Sequence, residues 1–229
     1  MKVLRHLPIL LVSVAGAGGL SCADIAAPSR SEAYEWRRIV PTGPTSADTL
    51  SFHWPRSRLP VRVWAQDSLD LRADVEHGLS RWEAAFLYGE FDAVMVADSS
   101  TADVVVQVGS GVDAGFSVTR LESAMAPECE GGTHFDLPAG TNQLRLPIRV
   151  FVSPRFDPAT LGVAECMALT TTHELGHAIG ILAHSPSATD IMFGFGDFGD
   201  PSVSSLSTSD RATAEVAYHI RPTLTPGPR

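Results

Sequence analysis

The segment Thr170-Thr-Thr-His173-Glu174-Leu-Gly-His177-Ala-Ile-Gly180 decides how the centre of this chain folds. His173 and His177 are four residues apart, a spacing that puts both imidazoles on one face of a helix, where they can bind one metal ion. Small residues surround the pair, and Gly180 allows a left-handed turn that ends the helix. The pattern therefore predicts a helix over 162–179 whose chain then turns back towards the histidines.

Glu174 directly follows the first histidine of this pattern. A carboxylate in that position is not a ligand; it lies where it can take a proton from a metal-activated water. Catalytic zinc has nitrogen ligands at about 2.0–2.1 Å and keeps one position for water, whose pKa it lowers to about 7. His-Glu-x-x-His also occurs by chance in exposed helices, but the flanking small residues favour a zinc site here.

The longer stretch His173-Glu-Leu-Gly-His177-Ala-Ile-Gly180-Ile-Leu-Ala-His184-Ser, followed by Asp190-Ile-Met192-Phe, resembles the metzincin zinc peptidases and their matrixin-like branch. The resemblance implies that His184 is the third zinc ligand, that Met192 forms a hydrophobic floor beneath the metal, and that Glu174 is the general base. It implies endopeptidase activity on a peptide or protein substrate. In the family two residues separate the glycine from the third histidine, whereas here three residues follow Gly180.

The resemblance covers roughly residues 59–220. The interval from His184 to Met192 and the pattern Leu206-Ser207-x-x-Asp210 are both similar to the matrixin-like branch. The implied fold class is α+β, with a twisted mixed β-sheet, an active-site helix, a Met-turn and a C-terminal helix.

Other interpretations of the site stay open from the sequence. A gluzincin-like site would take Glu215 from the last helix as its third ligand, and Cys166 shares a helical face with His173. Asp190, Asp197 and Asp200 lie in or beside a glycine-rich loop that would shape a substrate pocket or bind calcium, although EF-hand spacing is absent. A different class of function, a tethered non-catalytic binding or structural protein on the same scaffold, has no use for a base such as Glu174.

Periodicity predicts the remaining elements. Strands are expected at 59–64, 92–97, 103–108 and 145–152, the last near an edge or bulge because it contains Pro147. An edge strand would bind a peptide by β-augmentation. Apolar residues at helical spacing predict a helix from Leu71 to Phe86, and Ser207 with Asp210 forms a capping box before a helix over 208–219. Residues 109–143 show no period and are interpreted as a surface excursion.

The two ends of the chain carry their own signals. Residues 1–21 have the basic start and short apolar run of a signal peptide, which predicts an exported protein. Gly19-Leu-Ser-Cys22 resembles a bacterial lipobox, with its leucine one place late; the alternatives are lipidation of Cys22 at the bacterial cell envelope, and ordinary cleavage and secretion. Residues 22–55 are interpreted as a stalk or short pro-region, 56–220 as the catalytic domain, and 221–229 as a disordered tail.

Charge and cysteine content limit the partners. The formal charge is −9 with a pI near 5.3, and Lys2 is the sole lysine, so a nucleic-acid partner is not expected. Three cysteines in an exported chain leave one pair if Cys22 is lipidated. A Cys129–Cys166 disulfide would then close a loop of about 37 residues and stabilise the fold by roughly 3–4 kcal/mol.

Overall fold

The computed structural model describes residues 32–42, 45–109, 120–123, 129–194 and 205–229, with the backbone alone for 120–123. The expected signal segment and Cys22 lie outside these residues. No described helix is both long and apolar enough to cross a bilayer. In the described residues a mixed sheet packs against α-helices, which confirms the predicted α+β class with a mixed sheet.

The described residues form nine strands and three α-helices. The strands are β1 (Arg38–Pro41), β2 (Ala47–Leu50), β3 (Val61–Ala65), β4 (Ala93–Met95), β5 (Val104–Val108), β6 (Arg120–Ser123), β7 (Cys129–Asp136), β8 (Gln143–Pro154) and β9 (Thr225–Pro226). The helices are α1 (Leu71–Glu83), α2 (Val163–Ile179) and α3 (Thr208–Tyr218).

The main sheet has the order β4-β3-β5-β8-β7-β6, and β9 pairs with β8. Strands β4, β3, β5 and β8 run parallel to one another, whereas β7 is antiparallel to both β8 and β6. The valines of β5 explain its central place, because Val104, Val105 and Val106 are all buried, as a strand covered on both faces requires.

Helix α2 lies in the core, and every residue from Leu169 to Ile179 is buried. Three successive β-branched threonines are weak helix formers, so tertiary packing stabilises this helix. Helix α1 supplies much of that packing: the Trp82 indole donates a hydrogen bond to the Thr172 carbonyl at 2.8 Å. A methyl group at Gly78 would lie 2.8 Å from Leu175 Cδ1, which shows how closely the two helices approach.

One prediction in the sheet region is confirmed and another needs correction. The bulge that was one alternative for Pro147 is present as a shift of register, with His134 opposite Arg149 and Asp136 opposite Arg145. The edge alternative is not, because β8 pairs with β5 on one side and β7 on the other from Ile148 onwards. The expected surface excursion over 109–143 contains β7, whose first residue, Cys129, is fully buried.

The segment interpreted as a stalk differs from the structure in its described part. Strands β1 and β2 pair antiparallel, and Phe52 and Trp54 are each only 1% exposed. The Trp54 indole donates to the Ala178 carbonyl near the end of α2 at 3.0 Å. These aromatic side chains insert into the core, so the folded domain begins well before residue 56.

The tail interpreted as disordered is also part of the fold. Leu224 is buried, and β9 pairs in parallel with the first two residues of β8. The Arg229 guanidinium binds the buried Asp103 carboxylate at 2.9 Å, next to Arg62, which donates to the same carboxylate. Burial of a carboxylate is stable only when it is paired, and the tail provides part of that pairing.

Candidate metal centre

The histidine cluster, defined here as His173, His177 and His184, is assembled by α2 and the loop that follows it. Spacing along the helix brings His173 Nε2 to 3.1 Å from His177 Nε2. The loop then brings His184 Nε2 to 3.2 Å from His177 Nε2. One ligand atom from each histidine lies within 4.8 Å of the others, so the three are close enough to bind one metal ion.

Gly180 makes the return of the chain to the cluster feasible. Its φ of 128° is a conformation that other residues rarely adopt, and a methyl group there would collide with the Phe52 carbonyl. The residues after it are fixed by backbone bonds: Ile181 N–H donates to the Gly176 carbonyl at 3.0 Å, and Leu182 N–H to the Trp36 carbonyl at 2.7 Å. Backbone hydrogen bonds thus fix the first two of the three residues between Gly180 and His184.

The Nδ1 atoms of His173 and His177 are hydrogen-bonded to backbone carbonyls. His173 Nδ1 lies 2.7 Å from the Ile191 carbonyl, and His177 Nδ1 lies 2.5 Å from the Ile181 carbonyl. A carbonyl only accepts, so Nδ1 carries the proton in both rings and Nε2 presents a lone pair. Lone pairs that face one another at about 3 Å repel unless a cation lies between them.

Burial keeps the cluster neutral. The pKa of His173 is lowered to about 3, mainly because the ring is buried and secondarily because of His184. The pKa of His177 is lowered well below its usual value by burial and by its two neighbours, and that of His184 is lowered by burial and by Arg38. Neutral imidazoles are the form that binds metals.

Two of the three separations between ligand atoms in the cluster are close to those expected around a tetrahedral ion, and the third is at most 4.8 Å. Ligands at 2.0–2.1 Å from a tetrahedral ion lie roughly 3.3–3.4 Å from one another. The two shorter separations between Nε2 atoms, 3.1 and 3.2 Å, are close to that value. Three imidazole donors are a typical set for zinc and do not suit calcium, which prefers oxygen ligands.

Glu174 is fully buried between α2 and β7. The Thr133 hydroxyl lies 2.8 Å from Glu174 Oε2 and 3.0 Å from the Glu174 carbonyl, and its single proton can be donated to either. A methyl group at Gly131 would come within 2.6 Å of Glu174 Oε1, so glycine on β7 makes room for the carboxylate. Strand β7 therefore sets the orientation of Glu174.

Met192 lies against the helix on the side of Gly176. It is fully buried, and a methyl group at Gly176 would collide with its sulfur. Asp210, the first-turn acid of α3, accepts hydrogen bonds from the Ile191 N–H at 2.8 Å and the Met192 N–H at 3.3 Å. Because the Ile191 carbonyl accepts from His173, Asp210 indirectly positions one member of the cluster.

Cys129 and Cys166 form a disulfide with their Cα atoms 6.1 Å apart. The bond joins the first residue of β7 to the first turn of α2. It therefore fixes the strand that carries Thr133 against the helix that carries Glu174. Cys166 has no free thiolate, which excludes it as a metal ligand.

The remaining residues proposed from the sequence have other places. Glu215 is not part of the histidine cluster, and its carbonyl accepts a hydrogen bond from His219 at 2.7 Å. Asp190 accepts a hydrogen bond from the Ser185 hydroxyl at 2.5 Å. Asp197 and Asp200 lie outside the described residues, so the calcium interpretation stays a prediction.

Sequence reasoning did not find Thr133, Gly131 or Arg38 as parts of this site. Thr133 is separated from Glu174 by 41 residues, and no local pattern connects them. Asp210 was predicted as a capping residue and as part of a pattern similar to the matrixin-like branch, but not as a support of the Met192 turn. The signal that would have identified β7 is its alternation of buried positions, which two adjacent glycines obscure.

Known proteins give no direct assignment. No family model matches the chain, and no curated protein matches it significantly. Support for a function therefore comes from the residues of the site.

Proposed function

We propose that this protein is an exported zinc endopeptidase of metzincin-like type, closest in pattern to the matrixin-like branch. The observation that carries the proposal is the convergence of three imidazole nitrogens, with Nδ1 of His173 and His177 hydrogen-bonded to backbone carbonyls. That arrangement would hold zinc through His173, His177 and His184. Zinc held there would acidify a water molecule and polarise the carbonyl of the scissile peptide bond.

Glu174 is the general base of the proposed reaction. It follows His173 on the helix and is not itself a member of the histidine cluster. Its role is to accept a proton from the attacking water and to donate it to the amine of the departing peptide, as the two steps of hydrolysis require. Thr133 restricts the carboxylate through a hydrogen bond of 2.8 Å, so the base is positioned before substrate binds.

Two further features are consistent with an exported enzyme. The Cys129–Cys166 disulfide is stable in an oxidising compartment and is uncommon in the cytosol. The basic and apolar start of the sequence is a signal for export. Cleavage after residue 21, with or without lipidation of Cys22, would leave the protein secreted or attached to the cell envelope.

The test is a comparison of two glutamates on the same helix. Glu174→Gln is expected to retain one zinc per chain and to cleave a mixed peptide library about 10²–10⁴-fold more slowly. Glu165→Gln changes an exposed glutamate in the first turn of α2 and is expected to keep full activity. A chelator should abolish cleavage, and added zinc should restore it.

The rival function is a binding protein on the same scaffold. If the parental protein holds zinc but cleaves no peptide in the library, the rival is favoured. If it holds no zinc at all, both the peptidase and the metal centre are wrong.

A further inference from the structure

The strap, defined here as residues 34–36, precedes β1 and contacts two separate parts of the fold. At one end the Tyr34 N–H donates a hydrogen bond to the hydroxyl of Thr213 on α3 at 3.1 Å, and Thr213 is fully buried. At the other end the Trp36 carbonyl accepts from the Leu182 N–H at 2.7 Å, two residues before His184. Three consecutive residues therefore connect the last helix to the loop of the third histidine.

The Tyr34 side chain makes a further contact at the start of α3. Its hydroxyl donates a hydrogen bond to Asp210 Oδ1 at 3.0 Å, and Asp210 is fully buried. Burial and the Asp210 carboxylate both raise the pKa of the Tyr34 hydroxyl well above its usual value, so the hydroxyl keeps its proton at neutral pH. A buried carboxylate is stable only when its acceptor sites are filled, and Tyr34 fills one of them.

Asp210 accepts four hydrogen bonds from the described residues, two on each oxygen. Oδ2 accepts from the N–H groups of Ile191 at 2.8 Å and Ser207 at 3.1 Å. Oδ1 accepts from the Tyr34 hydroxyl and, at 3.3 Å, from the Met192 N–H. Three of these donors are backbone groups, and the Tyr34 hydroxyl is the one side-chain donor among them. Tyr34 therefore completes the set that fixes the orientation of the carboxylate.

Ile191 connects Asp210 to the histidine cluster. Its N–H donates to Asp210, and its carbonyl lies 2.7 Å from His173 Nδ1, so one residue contacts both groups. Loss of an outer partner that orients a metal-ligating histidine commonly lowers metal affinity 10–100-fold. Tyr34 lies one step further from the ligand, so its removal should have a smaller effect in the same direction.

We propose that Tyr34 is a positioning residue of the metal centre and acts through Asp210 on His173. The inference rests on the metal centre of the proposed function and does not depend on peptide cleavage. A phenylalanine at this position would keep the ring packed against the core but leave Asp210 Oδ1 with the Met192 N–H alone. The Met192 turn and the Ile191 carbonyl would then be held less tightly, and zinc would dissociate faster.

The experiment compares two tyrosines in the full mature chain loaded with zinc. Tyr34→Phe removes a hydroxyl hydrogen bond of 3.0 Å to Asp210, and Tyr218→Phe removes one of the same length to the Ile179 carbonyl. Zinc dissociation is followed by transfer of the metal to an excess of a coloured chelator. Tyr34→Phe should release zinc at least about threefold faster, within the factor of about two to ten that one hydrogen bond supplies. Tyr218→Phe should release zinc at the parental rate.

A double variant tests whether the effect passes through Asp210. In an Asp210→Asn background, Tyr34→Phe should change the rate of zinc dissociation by less than about twofold, because effects within one hydrogen-bond network are not additive. Thermal unfolding of the zinc-free variants separates positioning from general support of the fold. Both tyrosine variants lose one hydrogen bond, so their melting temperatures should fall by similar amounts although only one of them loses zinc faster.

Three results would overturn the inference. Equal acceleration of zinc loss in both tyrosine variants would mean that the Tyr34 hydroxyl supports only the fold as a whole. An unchanged rate in Tyr34→Phe would mean that the hydroxyl does not act on the metal centre. The same acceleration with and without Asp210→Asn would mean that Asp210 does not transmit the effect.

Failure of the peptidase proposal gives a different result. If the parental protein holds zinc and cleaves no peptide, but Tyr34→Phe still releases zinc faster, the positioning role stands and only the enzyme is excluded. If the parental protein cleaves peptides and Tyr34→Phe releases zinc at the parental rate, the peptidase stands and the positioning role is wrong. If the parental protein holds no zinc, both proposals are wrong.

Discussion

The two halves of the histidine cluster are supported in different ways. His173 and His177 lie on a buried helix, are fully shielded from solvent, and have Nδ1 fixed by backbone carbonyls. His184 lies on a loop and is partly exposed. The loop is held by the hydrogen bond from the Leu182 N–H to the Trp36 carbonyl, and Gly194 packs closely against the His184 ring. One half is thus determined by the spacing of its own helix and the other by the tertiary fold.

The helical histidines and His184 therefore depend on different parts of the fold for their positions. The helical half depends on packing around α2, which includes α1, β7 and the disulfide. The loop half depends on a chain of backbone bonds: the N–H of Ser185 donates to the Met192 carbonyl at 2.7 Å, and Met192 is held by Asp210. Changes in each half should therefore have different effects on stability and on metal binding.

The largest effects are expected from removing a ligand in each half. His177→Ala and His184→Ala should each lower zinc affinity by at least about a hundredfold, because loss of even an outer partner costs 10–100-fold. His177→Ala should also lower the melting temperature, since it leaves a cavity in the buried helix, whereas His184→Ala should leave the zinc-free fold unchanged. Zinc titration and thermal unfolding of both variants, with the exposed His77→Ala as control, measure the contrast. Stoichiometric zinc in His184→Ala would require a different third ligand.

Loss of the disulfide should weaken the helical half. Replacing Cys129 and Cys166 with serine opens a loop of 37 residues and should cost roughly 3–4 kcal/mol of unfolding free energy. Because the bond holds β7 against α2, turnover should fall more than zinc affinity does. Urea unfolding and cleavage rates of the double variant test this, and the parental protein treated with a reductant provides the matched comparison. Equal losses of turnover and zinc would contradict a specific effect on Glu174.

The helical half could be predicted from the sequence because its signals are local. Two histidines four residues apart and a helix-ending glycine depend only on backbone geometry. Strands β3 and β5 and helices α1 and α3 were found for the same reason. Helix α1 ends at Glu83, however, earlier than its apolar pattern predicted.

The remaining parts are determined by contacts between distant residues. β7 was missed because Gly131 and Gly132 weaken its strand pattern, yet a side chain at Gly131 would exclude Glu174. The N-terminal segment has no period because single aromatic residues, Phe52 and Trp54, anchor it. The ordered tail depends on Arg229 and Asp103, which are 126 residues apart. None of these contacts has a counterpart in local spacing.

Removal of the charge on Asp210 should weaken the loop half. Asp210→Asn loses charged acceptors for the Ile191 and Met192 N–H groups, which should cost about 1–3 kcal/mol. Zinc should dissociate faster as well, because Ile191 also holds His173. Asp67→Asn, at an exposed position, is the control for loss of charge alone. Unchanged zinc dissociation in Asp210→Asn would show that the Met192 turn does not support the cluster.

Acid should destabilise the zinc-free protein chiefly through the helical half. The pKa of His173 is about 3 in the folded protein and near 6.5 when unfolded, so the unfolded chain binds more protons between these values. Stability must then fall as the pH falls from 6.5, by at most about 1.4 kcal/mol per pH unit for each such histidine. Urea unfolding between pH 7 and pH 4 measures the slope. His173→Gln should flatten it, and a variant at the exposed His77 should not.

The smallest effect is expected at Glu215, the alternative third ligand. Its side chain is outside the cluster on α3, so Glu215→Gln should change stability by no more than about 0.5 kcal/mol and leave the zinc content at one per chain. The comparison with His184→Ala is decisive because the two variants test rival ligands in the same protein. If Glu215→Gln lost zinc while His184→Ala retained it, the third ligand would be Glu215 of α3 and not His184. If only His184→Ala loses zinc, the loop after Gly180 completes the centre despite its additional residue.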